Sequence, residues 1–317
     1  MLSQKNDISL QKIFKYPLGP IPWAIATAEG SFVKTDQSKF MHHMEGKAMK
    51  PDSPAKEISV YFIDGNAHFQ APGKLPSTYG ELCFQFFMSL PSAPVLHFLT
   101  DTYKDQSIKE VERSRRDESI TYLIGSPNTK LPQDFKSFLY NAENKREFIR
   151  LIHIVSEWQS DRYAAFLCGR EIFFAWEQNC VGLHSLDGRR VISSPVLQLT
   201  SNHEEADTWI LLHCLFAAQA TSSEKKFIIR SPDTDVFILL FSYAQKIRQN
   251  LFFDTGTGNK RRLLDVHGIT ASIGTELATA LPGFHAFTGS DCTSSFVRKG
   301  KITALKALES SLSQSKI

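Results

Sequence analysis

Residues 227–236 read Phe227-Ile228-Ile229-Arg230-Ser231-Pro232-Asp233-Thr234-Asp235-Val236 and indicate the fold class, because they join a predicted buried strand to the helix after it. Its first four residues form an apolar run typical of a buried strand, and Val236 to Arg248 predicts the helix. Glu204 to Ala220, before the strand, also predicts a helix. This βαβ alternation implies the α/β class, with a mainly parallel central sheet flanked by helices. Ligands of such sheets bind where strands end and helices begin.

The first half of the chain repeats this pattern. The run Ile58-Ser59-Val60-Tyr61-Phe62-Ile63 predicts a strand and is followed by Asp64-Gly65, a chain reversal. A second strand is predicted at Val95–Leu99 and is followed by Asp101. Tyr79 to Ser89, between the two strands, predicts a crossover helix. Both strands therefore place a carboxylate at their carboxyl ends.

The remaining segments suggest one large domain with additions at both ends. Residues 1–56 are interpreted as an N-terminal extension, residues 57–305 as the main domain, and residues 306–317 as a tail. Helical patterns predominate over about 117–165, which predicts a helical insertion. Strands are predicted at Glu171–Trp176 and Val191-Ile192, on either side of the turn-like Asp187-Gly188.

Composition excludes several classes of protein. The 317 residues carry 36 Lys and Arg against 33 Asp and Glu, a net charge of +3 that does not by itself indicate a nucleic-acid partner. The five cysteines are odd in number and form no Cys-x2-Cys pair, which argues against a disulfide framework and a Cys-based zinc site. Apolar runs stay shorter than the roughly 18 residues of a membrane span, and Met1–Leu10 has no signal-peptide pattern. We expect an intracellular protein without a membrane partner.

Acidic residues recur where apolar segments end or helices begin. Each one alone is explained by a helix cap or a solvated turn. If one parallel sheet brings all of them to its carboxyl edge, their repulsion is costly unless a cation binds there. Carboxylates without adjoining Cys or His suit Mg²⁺ or Mn²⁺ better than zinc. The candidate metal ligands are Asp64, Asp101, Glu205, Asp207, Asp233, Asp235 and Asp291, with Glu204 adjacent and interpreted as facing solvent.

A basic helix, predicted over Ser107–Arg116, supplies the complementary charge. Lys109 and Arg116 on it can offset the charge of a phosphate held beside the metal ions. The alternative is a solvated helix face whose cations pair locally with Glu110 and Glu112. Arg298-Lys299-Gly300-Lys301 is a further short basic run, and we interpret the nearby His285 as structural.

Other catalytic motifs fail on inspection. His203-Glu204-Glu205-Ala206-Asp207 begins like a zincin helix but has Asp207 where the second His belongs. Gly256-Thr257-Gly258 is not followed by a third glycine at the dinucleotide-binding spacing, and no Walker-type loop or nucleophile elbow occurs.

The ordered acidic elements resemble those of a known nuclease fold. Asp64-Gly65, Asp101 with its basic helix, Glu205-Ala206-Asp207, Asp233-Thr234-Asp235 and Gly289-Ser290-Asp291 are similar to the PIN-like fold of flap endonucleases and their XPG relatives. The resemblance covers about residues 57–305. It implies two divalent ions, Mg²⁺ or Mn²⁺, held by the carboxylates, with Lys109 and Arg116 at the gateway-helix positions contacting the phosphate. DNA or RNA is then the partner, and a nuclear location is slightly favoured over a cytoplasmic one.

Three further motifs resemble a group of uncharacterised, transposon-related animal proteins that we associate with the same fold. They are Tyr16–Trp23 (Tyr-Pro-Leu-Gly-Pro-Ile-Pro-Trp), Glu204–Thr208 (Glu-Glu-Ala-Asp-Thr) and His285–Asp291 (His-Ala-Phe-Thr-Gly-Ser-Asp).

Two departures from the nuclease family stand out. Asp207 replaces the second Glu of the family's Glu-Ala-Glu element, and the duplex-gripping hairpin after the last Asp is represented only by Gly300–Leu305. The sequence therefore leaves two alternatives to a nuclease: a catalytically inactive PIN-like nucleic-acid-binding or scaffold protein, and a sugar-nucleotide transferase suggested by Asp233-Thr234-Asp235 alone.

Overall fold

The fold is built on an eight-stranded sheet with the strand order β5-β4-β3-β2-β1-β6-β7-β8. The structure is a computed structural model that describes residues 20–28, 30–47, 60–70, 73–102, 120–158, 160–203, 205–222 and 224–314. The five inner strands run parallel. At one end β4 pairs antiparallel with β3 and β5 antiparallel with β4, and at the other end β8 pairs antiparallel with β7. The predicted α/β class, with a mainly parallel sheet, is confirmed.

The strands are β1 Val60–Asp64, β2 Val95–Leu99, β3 Glu171–Trp176, β4 Asn179–His184, β5 Ile192–Pro195, β6 Lys226–Arg230, β7 Asn250–Thr255 and β8 Arg262–Asp265. The α-helices of the described residues are α1 Gln37–Glu45, α2 Gly65–Phe69, α3 Tyr79–Ser89, α4 Phe135–Tyr140, α5 Ala142–Trp158, α6 Ser160–Leu167, α7 Ala206–Ala220, α8 Thr234–Tyr243, α9 Val266–Ile273, α10 Thr275–Phe287 and α11 Lys301–Gln314. Short 3-10 turns lie at Leu197–Leu199 and Gly258–Lys260.

The direction in which the chain adds strands reverses at β1. The chain adds β2 and then β3 on one side of β1, and later adds β6 and then β7 on the other side. The connections on the two sides lead away from each other, which leaves a crevice at the carboxyl ends of β1 and β6. This crevice is the expected ligand position in an open parallel sheet.

The two faces of the sheet bury different side chains. Tyr61, Ile63, Leu96 and Phe98 belong to an aromatic-rich core that also contains residues of α3, α4, α5 and α6. The alternate strand residues point to the opposite face, where α7 packs on β1 and β2. Both faces are covered, as is typical of parallel sheets.

A pair of buried imidazoles attaches α7 to the sheet. His97 of β2 and His213 of α7 approach to 2.7 Å between their Nδ1 atoms. The ring of His97 stacks between Phe62 and Phe173, with centroid distances of 4.7 and 4.4 Å. Burial lowers the pKa of His213 to about 3 and holds the pKa of His97 well below its usual value. Both rings are therefore neutral at pH 7, and one donates a hydrogen bond to the other.

Most predicted elements agree with the structure, and the differences have identifiable causes. The predictions for α3, β2 and β3 are confirmed to the residue, and β1 ends at Asp64 rather than Ile63. Strand β4 was missed because it follows β3 after a two-residue turn, Glu177-Gln178. Strands β7 and β8 were also missed.

The apolar segment before Asp291 belongs to helix α10, whereas Asp64, Asp101 and Asp233 come at or shortly after the ends of strands. Leu277, Leu281 and Phe284 in α10 recur at helical spacing, and the first two are buried. The expectation that Asp291 shares the sheet edge with the other acidic elements stays a prediction.

Contacts divide the chain into two compact units. The sheet unit comprises Met44–Leu281, and the terminal unit combines Met1–His43 with Pro282–Ile317. The division falls at Pro282 within α10, where a proline removes a main-chain hydrogen bond. The boundaries predicted at residues 56 and 305 remain predictions. Among the described residues, no helix combines the length and the apolar character needed to cross a membrane.

Candidate metal centre

Three neighbouring parallel strands bring acidic residues to one edge of the sheet unit. Asp64 is the last residue of β1, Asp101 lies two residues after β2, and Asp233 lies three residues after β6. Strands β2, β1 and β6 are adjacent and parallel, so their carboxyl ends meet at the crevice. The sequence prediction that these residues share an edge is consistent with this topology.

Gly65 allows the ends of β1 and β2 to pack closely after Asp64. A Cβ atom at this position would lie 2.8 Å from the carbonyl oxygen of Leu99 and 2.7 Å from the ring of Phe98. Both approaches are closer than a side chain tolerates, so Gly65 lets the ends of β1 and β2 pack together. The carboxylates that follow the two strands are brought close for the same reason.

The first turn of α8 fixes two of the aspartates. Asp233 caps the helix, and its Oδ1 accepts a hydrogen bond from the Asp235 main-chain N–H at 2.8 Å. The Asp233 N–H in turn donates to Ser231 Oγ at 3.0 Å. These contacts hold both aspartates at the N-terminus of α8, where the helix dipole favours negative charge.

Asp207, in the first turn of α7, completes a cluster that we call the aspartate triad: Asp207, Asp233 and Asp235. One carboxylate oxygen of each lies within 4.8 Å of the others, and all three side chains are half-buried. Hard oxygen ligands at this spacing can hold a metal ion. The donor set contains no sulfur or imidazole, which fits Mg²⁺ or Mn²⁺ better than zinc.

Asp64 is connected to the triad through Ser231. The Ser231 hydroxyl donates to Asp64 Oδ2 at 3.0 Å and accepts from the Asp233 N–H, so one hydroxyl bridges the ends of β1 and β6. Asp64 Oδ1 accepts from the Ala67 N–H at 3.1 Å. Burial, and then the negative charge of Asp101, raises the pKa of Asp64 to about 6. Asp64 and Asp101 thus interact as like charges.

Asp101 is connected to the triad through the N-terminus of α7. Its Oδ1 accepts from the Ala206 N–H at 3.0 Å and so supplies the cap that Glu205, the N-cap residue, does not provide with its side chain. Together these contacts form a circuit. Asp101 accepts a hydrogen bond from the start of α7, the triad connects α7 to α8, and Ser231 bonds to both Asp233 and Asp64.

The structure places the other predicted ligands differently. Glu205 precedes the triad, and its carboxylate is not a member of it. Asp291 lies in the terminal unit, where its carboxylate accepts from Gln37 Nε2 at 3.1 Å and its carbonyl oxygen accepts from Lys34 Nζ at 3.1 Å. The ligand roles of Glu205 and Asp291 stay predictions. Lys109, Arg116 and Glu204 lie outside the described residues.

A buried lysine organises the turn that carries Asp291. Lys301 Nζ donates to His285 Nδ1 at 2.8 Å and to the carbonyl of Gly289 at 2.7 Å. Gly289 has φ 104°, and a Cβ there would lie 2.8 Å from Ser295 Cβ. The interpretation of His285 as structural is consistent with these contacts. Lys301 belongs to the basic run Arg298-Lys299-Gly300-Lys301, but it is only 3% exposed.

Ser231 and a second carboxylate site around Asp254 were not predicted from sequence. Ser231 directly follows β6 and precedes Pro232, so its position before the Asp-Thr-Asp element was the available signal. Asp254 lies in Leu251-Phe252-Phe253-Asp254, an apolar run that reaches a carboxylate as β1 and β2 do. The same criterion applied to this run would have identified both β7 and Asp254.

Comparisons with known proteins add no family to this description. No protein-family model matches the chain, and the search of curated proteins found no match. The geometry of the residues is therefore the basis for the functional argument.

Proposed function

We propose that this chain hydrolyses phosphodiester bonds of DNA or RNA with divalent metal ions, in a PIN-like active site. The observation that carries the proposal is the aspartate triad at the reversal point of a parallel sheet, within one circuit of contacts that includes Asp64 and Asp101. Three carboxylates so close together repel one another, and a bound divalent cation offsets that repulsion.

We assign two metal ions to this edge of the sheet. Asp207, Asp233 and Asp235 would hold one, and Asp64 and Asp101 would contribute to a second, directly or through water. When bound, such a pair of ions activates water for in-line attack and stabilises the leaving oxygen. The carboxylate-only donor set is the reason to assign Mg²⁺ or Mn²⁺.

The protein's own contribution is to fix the carboxylates before a substrate arrives. Main-chain amides of Ala67, Ala206 and Asp235 and the Ser231 hydroxyl each donate to one carboxylate oxygen. Ligands held in this way lose little conformational freedom on binding an ion. Lys109 and Arg116 would neutralise charge on the scissile phosphate, as the nuclease resemblance implies.

The test is cleavage of labelled single-stranded DNA, duplex DNA, flap DNA and RNA with Mg²⁺ or Mn²⁺, with EDTA as the blank. We expect Asp233→Asn or Asp235→Asn to reduce the cleavage rate at least a hundredfold, since each replaces an anionic ligand by a neutral one. Without metal, the melting temperature of each variant should equal or exceed that of the unmodified chain, because one repelling charge is gone.

A matched control is Asp161→Asn, which changes an exposed aspartate in the first turn of α6. Full activity of the Asp233 and Asp235 variants would overturn the metal assignment. Binding of nucleic acid without cleavage under any metal condition would favour the inactive alternative.

A further inference from the structure

The terminal unit carries a basic groove that is separate from the aspartate triad in sequence. The groove has a volume of about 370 Å³, which falls within the roughly 300–1,000 Å³ range of ligand sites. We call it the terminal groove and define it by six of its lining residues: Lys34, Lys39, Phe296, Arg298, Lys299 and Thr303.

Positive charge dominates this groove. Of its cations, Lys39 pairs with Asp36 at 3.2 Å, and Lys34 Nζ contacts the carbonyl oxygen of Asp291. Arg298 and Lys299 are exposed, and neither side chain has a salt-bridge partner in the described part of the chain. Asp36 is the single acidic residue of the lining. The groove is therefore suited to an anionic ligand.

The start of α11 adds to this field. The helix follows Gly300, whose carbonyl accepts from the Ala304 N–H at 3.1 Å, and Gly300 and Thr303 both line the groove. Free N–H groups in the first turn of a helix favour phosphate groups. The positive side chains and the positive end of the helix dipole therefore face the same groove.

Exposed aromatic rings border the groove. Phe296 lines it and is 36% exposed, and Phe287, 69% exposed, lies 5.1 Å away between ring centroids. Trp23 is 65% exposed and lies next to Ala24, whose carbonyl accepts from the Val297 N–H at 2.8 Å. Large aromatic side chains grouped on a surface mark a binding site more often than an ordinary surface.

We infer that the terminal groove and its aromatic border bind single-stranded nucleic acid, an inference that rests on the proposed function and specifies its substrate class. Cations track a phosphate backbone, while aromatic rings stack on unpaired bases. A duplex keeps its base faces covered and would leave Phe287 and Phe296 without stacking partners. An acidic peptide would use the cations alone.

The test measures binding of fluorescein-labelled dT20, U20 and a 20-base-pair duplex by anisotropy in EDTA, at 50 and 150 mM salt, with the full chain. We expect both single strands to bind at least tenfold more tightly than the duplex. Phe287→Ala with Phe296→Ala should weaken dT20 binding about tenfold or more, because stacking on one base is worth a factor of that order.

The charge variants are Arg298→Gly and Lys299→Ala. Arg298 has φ 61°, a conformation that glycine adopts without strain, so Arg298→Gly removes the cation while keeping the turn. Each variant should reduce the slope of log Kd against log salt by about 0.7 for a single strand. The matched controls are Lys136→Ala and Tyr140→Ala, an exposed cation and an exposed aromatic of the sheet unit that should leave binding unchanged.

Binding is measured without metal, so it is independent of cleavage. If Asp233→Asn binds dT20 normally but does not cut it, both proposals hold. If nothing is cleaved under any condition while the groove variants still weaken binding, only the nuclease proposal fails. Equal binding of duplex and single strands, unchanged affinity in the aromatic variants, or preferential binding to phosphatidylserine vesicles would overturn the groove assignment.

Discussion

Two carboxylate sites lie at neighbouring strands of one sheet, and they are built in opposite ways. Asp254 of β7 is buried among cations: Arg230 Nη1 donates to it at 2.9 Å, and Arg261 contacts it through Nε at 3.0 Å and Nη2 at 2.6 Å. The Tyr61 hydroxyl donates to its second oxygen. The aspartate triad instead brings carboxylates together, within 4.8 Å of one another.

The pKa of Asp254 and the pKa of Asp64, which Ser231 connects to the triad, move in opposite directions. Burial alone would raise the pKa of Asp254, but the hydrogen bonds from Arg261 and Tyr61 and the charge of Arg230 hold it below its usual value. Burial and the charge of Asp101 raise the pKa of Asp64 to about 6. Asp254 is thus neutralised by cations of its own protein, whereas the edge of β1, β2 and β6 brings together carboxylates that could hold a metal ion.

The largest expected effect comes from breaking the Asp254 site. Asp254→Asn should lower the free energy of unfolding by about 3 kcal/mol, because a buried ion pair that loses one partner leaves uncompensated charge. Arg261 is 56% exposed, so the loss should be at the lower end of such effects. Urea unfolding at pH 7 measures it, with Asp161→Asn as the control. If the free energy of unfolding falls by less than about 1 kcal/mol, Asp254 is not held by a stabilising ion pair and the contrast with the triad fails.

An intermediate effect is expected from Asp64, and it depends on pH. The folded-state pKa of about 6 lies above the ordinary aspartate value of 3.8, so the folded chain holds a proton that the unfolded chain releases. The carboxyl therefore costs stability as pH rises from about 4 through 6. Asp64→Asn should match the unmodified chain at pH 4 and exceed it by about 2 kcal/mol at pH 7.5, without metal.

The measurement is denaturant unfolding of both proteins across this pH range in EDTA. A constant difference between them at every pH would contradict the raised pKa. The neutral pair His97 and His213 changes the free energy of unfolding in the opposite direction, because stability from a lowered histidine pKa is lost as pH falls below about 6.5. This change is the same in the unmodified chain and in Asp64→Asn. Only the difference between the two proteins isolates Asp64.

The smallest effect is expected from Ser231→Ala, which removes the bridge between Asp64 and Asp233. Loss of these hydrogen bonds should cost about 1 kcal/mol of stability. Because the Ser231 hydroxyl lowers the pKa of Asp64, the variant should also move the Asp64 titration to higher pH, which NMR of the carboxyl carbon can follow. Ser242→Ala is the control, since Ser242 bonds only to a carbonyl within α8. An unshifted Asp64 titration would show that the bridge is not formed.

How far the sequence predicts this molecule depends on the range of the interactions. Strands such as Val95–Leu99 and the positions of Asp64, Asp101 and Asp233 follow from local apolar runs and the residues that end them. The Ser231 bridge depends on the pairing of β1 with β6, a long-range contact that no local pattern encodes. Strand β8 is short and half-buried, so its Arg262-Leu263-Leu264-Asp265 gave little periodic signal.

The Ser231 bridge also determines when, during synthesis of the chain, the acidic cluster can assemble. The hydroxyl and the carboxylate that it joins are 167 positions apart in the chain. At about 5–20 residues per second of synthesis, roughly 8–33 s separate the emergence of Asp64 from that of Ser231 and the triad residues beside it. A nascent chain that has made only β1, β2 and β3 therefore has no assembled acidic cluster. The cluster arises late, after both halves of the sheet have joined, so binding of the proposed metal ion would report the last step of folding.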